Sequence, residues 1–199
     1  MGVSFFDPRI GALRDFRAAA PPRVGVDAAG KTARERVLGA ALADALLFLG
    51  LKPEPGAEIR VGGKDPGPGA AWLKAAALEG DAPGEAVLAA RGFSLEQFRF
   101  LCARTHYRRP LAFSWEALAA ARLELSELRA SARALAGVSL DPSSRGRVGY
   151  LHRFREALSK DLDLPSAVDC LWDGLRPGAL SPGSKAALLR EAFPALGLF

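Results

Sequence analysis

The stretch "PRVGVDAAGKTARERVLGAALADALLFLG", residues 22–50, decides the fold. It opens on a short β-branched run around Val24 and Val26. It then passes through a glycine-containing turn and enters a helix. Leu38, Leu42, Leu46 and Leu49 recur there at spacings of four and three, which puts them on one face. Gly50 is well placed to stop that helix. Within the stretch, "GVDAAGKT" (25–32) fits G-x-x-x-x-G-K-[ST], the pattern of a phosphate-cradling loop. A nucleotide hydrolase would also need an apolar strand ending in an aspartate for magnesium. The candidate for it, "EIRVGGKD" (58–65), is broken by its glycine pair. A weaker reading survives. Gly30, Lys31 and Thr32 open a helix, where free N–H groups and the helix dipole favour an anion. They form a candidate phosphate site, set against plain helix capping.

Working outward, "FFDPRIGALRDF" (5–16) reads as two extended pieces around Pro8 and Gly11, a hairpin. "EIRVGG" (58–63) is a second short strand of the α/β unit and "KDPGPG" (64–69) a loop. "AAWLKAAALEG" (70–80) is predicted to be a short helix ended by Gly80. The second half is predicted to be helical. Ser94 and Gln97 make a capping box, and Pro110 closes that helical region. Ser114 starts a long helix whose Trp115, Leu118, Ala121, Leu125, Leu128, Ala132 and Leu135 form one seam. Val148, Leu151, Phe154 and Leu158 make the next apolar face. Pro165 and Ser166 open a further helix with Val168, Leu171, Trp172 and Leu175 inward. Ser181-Pro182 starts the last. The expected architecture is an α/β unit over about 1–80, followed by an antiparallel helical bundle over about 81–199. The boundary falls near "EGDAPGE" (79–85).

Composition narrows the function classes. With 49% hydrophobic and 25% charged residues, the chain has an ordinary globular make-up. The longest apolar run, "AALADALLFLGL" (40–51), is too short for a membrane span and is interrupted by Asp44. No secretory leader is evident, so a cytoplasmic protein is expected. Cys102 and Cys170 each sit in an apolar helical pattern without a partner at metal spacing. The two histidines, His106 and His152, lie far along the chain from the acidic clusters and support neither a zinc site nor a Ser-His-Asp triad. The net charge is +5, and it is uneven. Between Arg91 and Arg155 there are twelve arginines against five acids, a one-sided basic region compatible with nucleic acid. Arg104, Arg108 and Arg109, with His106 and Tyr107 between them, are its densest cluster and the candidate RNA-binding residues.

The second half resembles the cysteinyl-tRNA synthetase family. "FRFLCARTHYRRPLAFSWEALAAARLELSELR" (98–129) is similar to the helical segment after the family's catalytic domain, with its THYR-x-PL-x-F block and long helix. "RFREALSKDLDLPSAVDCLWDGLR" (153–176) and "LREAFPALGLF" (189–199) resemble the next helices, with an acidic-apolar-x-x-Pro turn and a Leu-Trp pair. The first half resembles the family in reduced form, its opening hairpin and first strand included, which implies a Rossmann-like nucleotide-binding remnant. "VGGKD" (61–65) is similar to the family's glycine-glycine-x-aspartate element, making Gly62, Gly63 and Asp65 a nucleotide-binding remnant. The departures matter more. Asp27 stands where the family has a zinc-binding cysteine. Ala29, Gly30, Lys31 and Thr32 stand where it has His-x-Gly-His. Gly69, Ala70 and Ala71 stand where it has two histidines and a glutamate. The family's Lys-Met-Ser-Lys-Ser loop is nowhere present in this sequence, and Lys74 is at most its remnant. The family's insertion and its anticodon-binding module are missing from this sequence.

The resemblance therefore implies a strongly shortened relative without zinc or another cofactor and without cysteine–tRNA ligation, since adenylate formation needs cations where negative charge develops. The expected function is binding. The partner would be tRNA or another structured RNA, or a protein such as the full-length synthetase or a second copy. The alternative is a small ATP-dependent ligase that uses Gly30, Lys31 and Thr32 as its phosphate site.

Overall fold

A computed structural model describes residues 2–28, 30, 32–80 and 83–196. It opens on the expected hairpin, β1 (Val3–Asp7) and β2 (Ala12–Phe16), paired antiparallel with Phe5 opposite Arg14. The sheet that follows is parallel. It contains β3 (Arg23–Asp27), β4 (Lys52–Pro55), β5 (Ile59–Val61) and β6 (Ala71–Leu73), in the spatial order β4-β3-β5-β6. Helix α1 (Ala33–Phe48) connects β3 to β4 and buries Leu38, Leu42 and Leu46 as the periodicity predicts. It ends before Gly50, where Leu51 N–H reaches back to the Leu46 carbonyl at 2.8 Å.

Two elements depart from the sequence reading. Residues 70–80 are not a helix. Ala71–Leu73 is strand β6, and Leu78–Glu79 is a further strand, β7. The alanine run has helical propensity but is too short to nucleate alone. The pairing of Ala71 with Ile59 and of Leu78 with Leu111 overrides it. Strand β4 lacks any sequence signal, because "KPEP" carries two prolines. Proline is tolerated there because β4 lies at the sheet edge.

The remaining elements are helical: α2 (Glu85–Ala90), α3 (Leu95–Ala103), α4 (Trp115–Ala134), α5 (Arg145–Ser159), α6 (Leu164–Leu175) and α7 (Pro182–Ala192). A 3-10 turn, Phe193–Leu196, follows them. One short strand, β8 (Leu111–Ala112), interrupts them and pairs with β7. The capping box at Ser94 and the caps at Ser114 and Ser181 are as predicted. Val148 is not. It is 51% exposed, because the inward position of that first turn belongs to Arg147. The Arg147 guanidinium reaches the Pro142 carbonyl at 2.8 Å and Glu191 at 2.6 Å. A single apolar core joins the sheet and the helices. It runs from Val24, Ile59 and Leu73 through α1 to Phe98, Leu125, Phe154 and Leu188. Phe48 of α1 meets Phe154 of α5 edge-on at 5.2 Å.

Candidate functional site

Strand order alone locates a first candidate. From β3 the chain crosses to β4 on one side and then returns to β5 on the other, so the order reverses between β3 and β5. Open parallel sheets bind ligands at such a switch point, beyond the carboxyl ends of the strands. Asp27, Thr32, Gly62 and Gly63 lie there. The crevice is already furnished with negative charge. Thr32 caps α1 by accepting from Glu35 N–H at 3.1 Å, and Glu35 accepts in return from Thr32 N–H at 3.1 Å. Both glycine elements of the sequence close over this same Glu35. A Cβ on Gly30 would come within 2.4 Å of Glu35 Cβ, and one on Gly62 within 2.4 Å of its carboxylate. Gly25 also has a packing reason: a Cβ on it would lie 3.0 Å from the Cα of the facing Gly56. Asp27 pairs with Arg60 at 2.9 Å, its neighbour on β5. Lys31 lies outside the described residues.

Gly62 and Gly63 both have positive φ, +73° and +67°. Their substitution separates two effects. Gly62→Ala adds a clash with the Glu35 carboxylate to the left-handed strain and should destabilise by about 2–3 kcal/mol. Gly63→Ala meets open space and should cost only about 1–2 kcal/mol. Equal losses in urea denaturation would refute the close packing of Glu35. Asp65 accepts from Gly67 N–H at 2.8 Å and lies 3.5 Å from Arg9. Arg9 also holds Asp7 at 2.8 Å and the Ala70 carbonyl at 3.0 Å, so it ties the hairpin to this loop. Asp65 is thus engaged in a turn.

The second candidate is an open groove of about 740 Å³ on the helical side. Arg104, His106, Arg108 and Arg109 line one wall, and Lys160, Asp161 and Asp163 the other. Its base is Asp161, 3% exposed and with φ +64°. Asp161 accepts from Phe6 N–H at 2.8 Å and from the Tyr107 hydroxyl, and lies 2.7 Å from Arg108 Nε. Burial and the Asp161 carboxylate push the Tyr107 hydroxyl well above its usual range, so it stays a donor. His106 stacks on Tyr107 at 4.9 Å, and burial holds its pKa below the ordinary value. Its Nδ1 accepts from Arg108 N–H at 3.3 Å, and its Nε2 faces Asp161 at 3.7 Å. Both ring nitrogens face partners, so His106 serves the joint and leaves no free base. Arg104 spans Glu124 at 3.2 Å and Asp169 at 2.7 Å, whereas Arg108 stacks on Phe6 at 4.3 Å. Arg109 and Lys160 are exposed, with no carboxylate partner among the described residues.

The groove therefore brings together the three arginines picked from the sequence, and adds Lys160 and Asp161, which that reading passed over as site residues. The two stretches that carried the family resemblance meet here: the THYR block on one wall and the acidic-apolar-x-x-Pro turn, Asp161–Pro165, on the other. Cysteine--tRNA ligase 1 of Burkholderia lata is 34% identical to the chain over 110 residues, 54% of this chain. The chain is a relative of the cysteine--tRNA ligases. The cysteine--tRNA ligase of Thioalkalivibrio sulfidiphilus is 36% identical over 115 residues, 53% of this chain, and that of Chlamydia caviae 36% over 90 residues, 42% of it. These matches span 22%, 24% and 19% of the respective ligases, so this ligase relative corresponds to about a fifth of their length. No family profile matches the chain. No helix among the described residues is long and apolar enough to cross a membrane.

Proposed function

We propose that this ligase relative acts in the cytoplasm as a binding module for tRNA or similarly structured RNA, without aminoacylation, and that the basic groove holds the RNA backbone. The observation that carries the reading is the pairing state of the groove's charges. Asp161 accepts from the Tyr107 hydroxyl and Phe6 N–H and pairs with Arg108, while the exposed Arg109 and Lys160 have no carboxylate partner among the described residues. Unpaired cations flanking an open groove suit phosphates, which dominate nucleic-acid affinity.

The competing reading, an ATP-dependent ligase with its phosphate site at Gly30, Lys31 and Thr32, is weakened by Glu35. A carboxylate already satisfies that helix start and would repel a phosphate. Zinc does not suit the residues either. Asp27 is held by Arg60 at 2.9 Å, and Gly69, Ala70 and Ala71 offer no donor side chain.

Fluorescence anisotropy with bulk tRNA across a salt series tests the proposal. Arg109→Glu/Lys160→Glu should weaken binding by at least about tenfold and lower the log–log salt slope by about two. An unchanged slope would remove the groove from the account. Saturable ATP binding that Lys31→Ala abolishes would favour the ligase reading instead.

A further inference from the structure

A separate cavity of about 210 Å³ lies between the hairpin and the start of β6. It is not the switch-point crevice. Glu58, Ala19 and Ala71 line it, and these residues mark the amino ends of β5, β3 and β6, at the opposite edge of the sheet. Its apolar walls are aromatic. Phe5 and Phe16 pair at 5.9 Å across the hairpin, and half-buried Trp72 faces the same space.

The polar lining sorts by what is already engaged. Asp7 gives both carboxylate oxygens to Arg9, each at 2.8 Å. Glu58 gives both of its own to Ala19 N–H and Gly25 N–H, each at 2.6 Å. Arg14 and Phe16 share one face of β2 by strand alternation, and the exposed Asp15 also lines the cavity. Arg14 is 58% exposed at its side chain and only 3.7 Å from Asp7, a loose pair. Arg17 is exposed and has no partner among the described residues. The donors left for a ligand are two guanidiniums at the mouth of an aromatic cavity. Beside Gly69 the wall is open, with no atom within 4 Å of where a Cβ would sit.

We infer that this cavity binds a small aromatic anion, its ring against Phe16 and Trp72 and its charge on Arg14 and Arg17. The volume suits one ring system of nucleobase size, with the anionic group at the mouth. Planar rings pack on aromatic side chains, and guanidinium forks match phosphate and carboxylate alike. Two sources share this chemistry: a nucleoside monophosphate and an aromatic carboxylic acid. The inference goes beyond the RNA reading, and neither Arg14 nor Arg17 lines the groove.

Calorimetry on the full chain tests it with 5′-AMP, 5′-UMP, indole-3-acetate and, as the uncharged comparison, adenosine. At least one of the anions should bind, and adenosine should bind about tenfold more weakly than AMP if the source is a nucleotide. Binding of the nucleotides alone or of indole-3-acetate alone identifies the source. Arg14→Ala/Arg17→Ala alters two exposed side chains and should weaken the bound anion by at least about tenfold. Arg109→Glu/Lys160→Glu should leave it unchanged, which keeps this test apart from that of the RNA groove. The inference is overturned if no anion binds, if adenosine binds as tightly as AMP, or if the Arg14/Arg17 variant binds the anion as the parent does.

Discussion

Replacing Asp161 with alanine is expected to destabilise the fold by about 3–5 kcal/mol, the range for breaking a buried ionic joint. Four groups converge on that carboxylate from two parts of the chain: Phe6 from the hairpin, and His106, Tyr107 and Arg108 from the THYR block. Alanine would leave the Tyr107 hydroxyl and Phe6 N–H buried without their acceptor. Arg108 is 41% exposed at its side chain and can turn to water, so its share of the loss is small. The backbone adds a further term, because aspartate tolerates the φ of +64° better than alanine does. Asp161→Asn keeps the shape and one acceptor oxygen, and should lose about 1–3 kcal/mol. Urea denaturation followed by intrinsic fluorescence reads both. A loss below about 1 kcal/mol for the alanine variant would mean that Asp161 is not the joint between the hairpin and the helices.

Arg34→Met is expected to cost about 3 kcal/mol. Arg34 is 3% exposed and carries its guanidinium into the core from the first turn of α1. It donates to the Ala76 carbonyl at 2.9 Å, to Ala77 at 3.1 Å and to His106 at 3.1 Å. Those three carbonyls belong to the segment after β6 and to the THYR block, so one side chain fastens the parallel sheet to the groove wall. Burial lowers its pKa, and only a guanidinium holds its charge comfortably in such a place. Methionine fills the volume and leaves three acceptors without their donor. Lysine has a point charge rather than a fork, and Arg34→Lys should fall between the two. In the methionine variant, amide exchange should accelerate at Ala76, which donates to the Tyr107 carbonyl at 2.7 Å. Unaltered exchange there would separate Arg34 from the fastening role.

The parts of the fold visible in the sequence are those set by local chemistry. The hairpin, α1, the serine caps and the long seam of α4 each follow from a turn residue, a cap or an apolar period within a few residues. The segments misread or overlooked were those that long-range pairing decides. "AAWLKAAALEG" becomes strand because Ile59 and Leu111 lie beside it, and "KPEP" becomes strand because only the sheet edge accepts its prolines. The same division holds at the candidate sites. Arg104, Arg108 and Arg109 are recognisable as a cluster because they are near one another in the chain. Asp161 is 54 residues from Tyr107, and Arg34 is 72 residues from His106, so nothing local ties them together. Glu35 stands three residues after Thr32, and a capping partner and a charge that fills the crevice look alike in a sequence. The phosphate-loop pattern is legible too, and several of its residues have packing or capping roles in the fold. Gly25 answers to Gly56, Gly30 and Gly62 answer to Glu35, and Thr32 is a cap.

Amide hydrogen exchange of the intact chain with and without saturating tRNA tests the central claim most directly, because it locates the contact. The account predicts slowed exchange over residues 104–109 and 159–166, the two walls of the groove, and no change over 25–35 and 59–65. Protection confined to the β3–β5 crevice, or no protection in either region at saturation, would contradict it.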